Sequence, residues 1–187
     1  MTQAIPQHSS ASPEHYTPIE IIEAARITMG GIDLDPASTR SVNERRVKAT
    51  SYFSRVDDGL SRAWQGRVWL NPPGGKVKNK SSAAIWWGKL AEEYRSGRVT
   101  QGVFLGFTLE VLSTSQDAGI WIGELPFCIP RSRIEFLQER DGEFVAGESP
   151  THANVIGFLP PAGLGTERLA AIQRFAGEFQ QFGRVRT

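Results

Sequence analysis

The sequence predicts an α/β fold with a mixed sheet in one domain, on three observations. Apolar runs of strand length alternate with stretches of helical periodicity, as in β-α-β units. The second half carries several short strand-like runs separated by turn residues, the signature of antiparallel pairing. The length of 187 residues, 40% of them hydrophobic, suffices for one sizeable core but is short for two. Twenty-one basic and 20 acidic residues leave a net charge of +1, so the chain is neither a polybasic tail nor an acidic disordered one, and any nucleic-acid contact must be local.

Other function classes recede on the same grounds. The single cysteine, Cys128, allows no intramolecular disulfide, and no Cys and His cluster has zinc-ligand spacing, so we expect a reducing, cytoplasmic setting and no metal. The segment from Met1 to Ser12 lacks the basic start and apolar run of a secretory leader. No stretch reaches the roughly 18 apolar residues of a membrane span. Neither secretion nor membrane association is expected.

Residues 1–15, rich in Gln, Ser, Ala and Pro, read as a flexible arm ahead of a domain over 16–187. Thr17-Pro18-Ile19-Glu20 predicts a helix start, with Thr17 as cap, Pro18 at the first helical position and Glu20 completing a capping box. The helix runs to about Met29, where Gly30-Gly31 ends it. Ile32 to Asp35 reads as a strand that leaves the sheet at Pro36. A second strand at Arg67 to Leu70 stops against Asn71-Pro72-Pro73-Gly74-Gly75. After a basic loop, Ser82 caps a helix to about Ser96 with Ala83, Trp86, Leu90 and Tyr94 on one face. Gly102 to Phe107 reads as a strand buried on both faces. Short strands follow near Ile120 to Ile122, Phe127 to Ile129, Ile134 to Leu137 and Asn154 to Leu159. A last helix, Thr166 to Phe182, turns Leu169, Ile172, Phe175 or Ala176 and Phe179 to the core, or to a weak dimer contact; otherwise the chain is a monomer.

The segment Trp69-Leu70-Asn71-Pro72-Pro73-Gly74 carries the most chemistry, because ligands of open α/β sheets bind outside the carboxyl ends of strands. Its simplest alternative is a rigid turn. The functional reading concerns an exocyclic amino group, whose lone pair is delocalised into its ring. If the Asn71 side-chain oxygen and the Pro72 carbonyl each accept one N–H, the nitrogen moves towards tetrahedral geometry with its lone pair aimed at an electrophilic methyl. Proline fixes its own backbone angle and keeps that carbonyl aimed.

In order, Tyr16-Thr17-Pro18, Ile32-Asp33-Leu34-Asp35-Pro36-Ala37-Ser38, Asp57-Asp58-Gly59-Leu60 with Trp64 and Gly66, and Val68-Trp69-Leu70-Asn71-Pro72-Pro73 resemble the phage-encoded DNA N-6-adenine methyltransferase family. The resemblance continues through Val103 to Phe107, then Arg133-Ile134-Glu135-Phe136, Ser149-Pro150 and Ala153 to Phe158, covering roughly residues 16–160. It implies a Rossmann-like methyltransferase domain that uses S-adenosylmethionine to methylate the adenine amino group of double- or single-stranded DNA in a phage-carrying bacterial cell. It also implies roles. Asn71, Pro72 and Pro73, with Gly74, would hold the amine. Thr17, Pro18, Asp33, Asp35, Pro36 and Ala37 would line the cofactor, and Asp58 or Asp57 would stand at a neighbouring strand end. Two features depart from the family: Gly74 replaces an aromatic that stacks on the base, for which Trp69, Trp86, Trp87 or Phe107 are substitutes, and Asp35-Pro36-Ala37-Ser38 replaces the glycine-rich turn of many methyltransferases. For Asp33 and Asp35 the alternative is turn formation or capping.

Charge is uneven. Residues 61–98 carry +6 and the rest −5. Lys76, Lys78 and Lys80 follow the Asn-Pro-Pro run directly, placed for phosphate contact or simply for solvent. Reaching an amine inside a duplex requires the nucleotide to be flipped out. The competing readings keep the cofactor but change the acceptor to cytosine N4, a modified base or RNA, or retain nucleic-acid binding without catalysis.

Overall fold

The computed structural model describes residues 15–77, 80–147 and 151–187. Residues 1–14 of the expected arm, Lys78 and Ser149-Pro150 lie outside them. The elements are α1 (Ile19–Met29), β1 (Leu34–Asp35), α2 (Arg40–Val42) continuing into a π-helical turn (Asn43–Val47), β2 (Ser51–Tyr52), β3 (Gly66–Leu70), β4 (Lys76–Val77), β5 (Lys80–Ser81), α3 (Ser82–Arg95), β6 (Val99–Gly106), α4 (Glu110–Thr114), β7 (Phe127–Pro130), β8 (Leu137–Arg140), β9 (Glu143–Ala146), β10 (Val155–Leu159), α5 (Thr166–Phe179) and β11 (Gly183–Arg186).

Seven strands form one sheet in the order β2-β1-β3-β6-β10-β7-β11. The first four are mutually parallel and the later pairs antiparallel. Because β10 opposes both neighbours, β7 runs in the direction of β6 with one reversed strand between them. The mixed α/β sheet is thus parallel first and antiparallel later, an arrangement compatible with a Rossmann-like fold. From β1 the chain moves outward to β2, then returns across β1 to β3. The boundary between β1 and β3 is therefore a topological switch point, where the connections diverge and leave a crevice at the carboxyl ends.

Side chains alternate across this sheet as the period of two requires. Trp69, Val103, Leu105, Ile156 and Phe158 meet α1, α5 and the π-helical turn on one face, while Val68, Leu70, Phe104 and Leu159 meet Trp86, Trp87 and Leu90 of α3 on the other. Each fully buried large side chain contributes about 1.5–3 kcal/mol, so α3 is held chiefly by this stripe.

Several elements differ from expectation. In α1, Pro18 occupies the cap position and no side chain caps the helix, so the Thr17 and Glu20 capping box does not form. Gly30 does end it, at φ 74°. The basic loop is a β4-β5 hairpin. Residues 122–124 form a 3-10 turn where a strand was expected, and the strand near Ile134 begins only at Leu137, paired with β9. In α5 the buried stripe is Ala171, Phe175 and Phe179, with Leu169 exposed. That helix stops at Phe179 because Gly183 to Arg186 turn back to pair with β7.

Candidate active site

The apolar alternation of β3 ends at Leu70, and two consecutive prolines prevent the ladder from continuing. Asn71 therefore leaves the sheet at its carboxyl edge. Its Nδ2 donates to the His15 carbonyl at 3.0 Å, which fixes the amide orientation. The opposite atom, Oδ1, is buried and has no hydrogen-bond partner among the described residues. A buried acceptor left unsatisfied costs about 1–3 kcal/mol, so it marks a place where a donor belongs. Pro72 is buried, and Pro73 and Gly74 are exposed. A side chain built on Gly74 meets nothing within 4 Å, so neither sterics nor a positive φ demands glycine here.

Register places β1 beside this point. Leu34 pairs with Val68, so the turn after Asp35 runs alongside Asn71. Asp35 is buried, and its Oδ1 accepts the Ala37 N–H at 3.2 Å in an Asx turn. Burial pushes its pKa up to about 6, against the lowering effect of hydrogen bonds from Ser38 and the Ala37 amide. The turn is locked from outside: a Cβ on Gly59 would stand 2.1 Å from the Pro36 carbonyl oxygen, so only glycine lets these backbones meet. Trp64 donates to the Gly59 carbonyl at 2.7 Å and stacks on Trp86.

Asp33 stands elsewhere. Directly before β1, it faces the start of β3 and binds Arg67 through side-chain contacts of 2.6 and 2.8 Å and the Arg67 amide at 2.8 Å. Those hydrogen bonds hold its carboxyl below the usual range. Asn71 lies four residue steps beyond Arg67, about 13 Å of extended chain, so the structure puts Asp33 at the opposite end of β3 from the Asn-Pro-Pro loop. Asp57 is occupied with the Ser54 amide and hydroxyl, at 2.8 and 2.6 Å, which lower its pKa. The exposed Asp58 adopts φ 51° and makes no side-chain hydrogen bond among the described residues.

Thr17 is buried with its hydroxyl unpartnered, and its carbonyl accepts from Arg46 Nη2 at 2.9 Å. Pro18 follows at the start of α1. Lys76 and Lys80 are exposed on the hairpin that continues the Asn-Pro-Pro loop. The wider positive charge of that region is partly internal: Arg67 pairs with Asp33, and Lys89 and Arg98 both pair with the buried Glu93.

Among the aromatic substitutes, Trp69, Trp86 and Trp87 are core residues. Phe107, half-buried at the end of β6, packs against Phe136 at 4.5 Å and touches the His15 ring at 5.2 Å. Asn154 anchors it, donating to the Phe107 carbonyl at 3.1 Å and accepting from the Ile134 amide at 3.0 Å. Sequence reasoning did not single out His15, Arg46 or Asn154. The one available signal was Asn154, a polar residue directly before an apolar strand.

A cavity of about 250 Å³ opens beside Pro18, Ile21, Ile134 and Phe182, and includes none of Asp35, Asp58 or Asn71. Among the described residues no group of three or more His, Cys, Asp or Glu could hold a metal, and no helix is long and apolar enough to cross a membrane. Comparison with known protein families, curated proteins and solved structures gave no match.

Proposed function

We propose that the chain is an S-adenosylmethionine-dependent amino-methyltransferase acting on DNA, with the adenine N6 amino group as acceptor. The observation that carries this reading is Asn71 at the switch point, its Nδ2 tied to the His15 carbonyl and its Oδ1 buried without a partner. That is an acceptor oriented in advance of its donor, which costs no reorganisation when the amine arrives. Asn71 Oδ1 and the Pro72 carbonyl hold the two N–H bonds and turn the nitrogen lone pair outward. The methylated nitrogen returns to neutrality by giving one of those protons to solvent water.

The residues present fit the methyl donor in part. Thr17 offers an unpartnered buried hydroxyl, and Asp58 an exposed carboxylate able to accept from hydroxyl or ammonium groups. The Pro36-Ala37 turn brings backbone close to the crevice, whereas the Asp35 carboxyl holds that turn and Asp33 pairs with Arg67. S-adenosylmethionine, when bound, supplies a methyl group on a sulfonium. Lys76 and Lys80 stand where they would meet phosphates of a strand whose base enters the crevice.

The test is incubation with radiolabelled S-adenosylmethionine and unmethylated genomic DNA, followed by nucleoside analysis. Label in N6-methyladenine supports the reading. Label in another base redirects the acceptor, and binding of DNA without any label or cofactor affinity rejects the enzyme in favour of a binding module.

A further inference from the structure

We propose that the turn Ser54-Arg55-Val56-Asp57 is a wedge that enters the base stack of duplex DNA. It fills the gap left when the target nucleotide swings out to Asn71, so the assignment rests on the DNA reading proposed above. Exposure, rigidity and position meet at this turn. Val56 at its apex is 95% exposed, although turn tips ordinarily carry Gly, Asn, Asp or Ser. Its neighbour Arg55 is exposed and makes no hydrogen bond or ion pair among the described residues.

The turn is built to hold its shape. The Ser54 amide and hydroxyl donate to the Asp57 carboxylate at 2.8 and 2.6 Å, and the Asp57 amide donates back to the Ser54 carbonyl at 3.0 Å. Arg62 Nε donates to the Asp57 carbonyl at 2.8 Å. Just before the turn, the Phe53 amide donates to the Asp35 carbonyl at 3.0 Å and the Phe53 carbonyl accepts from the Ser38 amide at 2.9 Å, which staples its base to the chain leaving β1. These bonds present at the apex a side chain that the core does not use. Valine is stiff at χ1, so little rotamer freedom is lost when that side chain is buried by a partner.

Position agrees with a duplex. β2 is parallel to β1 and β1 to β3, so the turn after β2 and Asn71 leave the sheet at the same edge, two strand spacings or about 10 Å apart across it. Leu164 is exposed to the same degree but follows β10, which runs opposite to β6, and so stands at the far edge. Extruding a nucleotide unstacks its neighbours, and apolar side chains inserted between base steps are how proteins unstack and kink a duplex. The apolar tip suits stacked bases, and the exposed Arg55 and Arg62 beside it suit the flanking phosphates. Of the two nearby carboxylates, Asp57 is engaged within the turn, and Asp58 is assigned above to the methyl donor.

The experiment measures binding of the full chain, by fluorescence anisotropy, to three probes of one sequence: an intact duplex, that duplex with a single abasic site, and the single strand. An abasic site opens the stack in advance, so the unaltered chain should bind that duplex at least about tenfold more tightly than the intact one, the effect of burying one valine side chain. In Val56→Ser that preference should fall towards one, with single-strand affinity and Tm unchanged because the side chain serves only the duplex. Val56→Ile should retain the preference. Equal binding of the two duplexes by the unaltered chain, an unchanged preference in Val56→Ser, or an equal loss on the single strand overturns the wedge alone. No binding of any of the three probes overturns the DNA reading along with it.

Discussion

Two polar clusters, one at each end of the β1-β3 pair, treat their groups in opposite ways. At the amino edge, Asp33 and Arg67 satisfy one another through two side-chain contacts, a backbone amide and a bond from Arg67 to the Gly30 carbonyl. At the carboxyl edge, Asn71 Oδ1, Thr17 Oγ1 and Arg46 Nε are buried without partners among the described residues. Polar groups kept for stability are expected to be paired within the chain, because an unpaired one costs free energy and returns nothing to the fold. The contrast lies between these two clusters and not between whole edges, since Thr28 Oγ1 and Gln101 Oε1, near the amino edge, are also buried without partners among the described residues. Under the proposed function the Asn71 cluster is the one kept for a ligand.

The sharpest way to break this comparison is Asn71→Ala. Transfer should fall about 10²- to 10³-fold, the loss typical of a preorganised transition-state contact, while S-adenosylmethionine affinity stays within a few fold and Tm does not drop. A large loss of stability would make Asn71 a structural residue like Asp33.

Asp35 tests the boundary between the two behaviours. Its pKa is raised from 3.8 to about 6 on folding, so the native state binds the extra proton between those values. Stability from this group is then greatest below pH 4 and declines as pH rises towards 6. Asp35→Asn keeps an acceptor for the Ala37 amide and should remove that decline, raising stability at pH 8 by up to about 3 kcal/mol in denaturant titrations. A pH profile identical to that of the unaltered chain would place the ionised carboxylate in a more polar setting than this one.

Gly74→Phe sharpens the carboxyl-edge assignment from the other side. Space around Gly74 is open, so the fold should be unaffected. A ring there should tighten binding of DNA carrying an extrahelical base by about 1–3 kcal/mol, read by fluorescence of 2-aminopurine at the target position. No change would indicate that Phe107 and Phe136 already supply the platform.

The smallest effect belongs to the amino edge. Arg67→Ala should cost about 1 kcal/mol of stability, since both side chains are one-third exposed, and leave DNA and cofactor affinity untouched. Because the Asp33 carboxyl is held below its ordinary range, its contribution is present above pH 4 and lost as pH falls further. In Arg67→Ala that acid-side loss should shrink.

Much of this was legible in sequence wherever the signal is local. Strand alternation over Val68, Trp69 and Leu70, halted by Pro72 and Pro73, placed Asn71 at a strand end without any tertiary information. Gly30 announced the end of α1 in the same way. The capping box failed because Thr17 is engaged through its carbonyl by Arg46, 29 residues away, and the helix starts only after Pro18. β11 was hidden because Gly183 to Arg186 follow a helix without a separate apolar run, and only pairing with Cys128 and its neighbours makes them a strand.

The sequence by itself determined the α/β class, the mixed sheet and the position of the Asn-Pro-Pro loop, since side-chain period and proline geometry act within a few residues. Tertiary structure decided which carboxylate does what. Asp33 and Asp35 are alike in composition and spacing, yet Arg67, 34 residues on, occupies the first, and burial in its own turn occupies the second. It also decided that the Asn71 amide is oriented by His15, 56 residues before it. Such pairings depend on strand order and on which chain ends meet, and no local pattern encodes them.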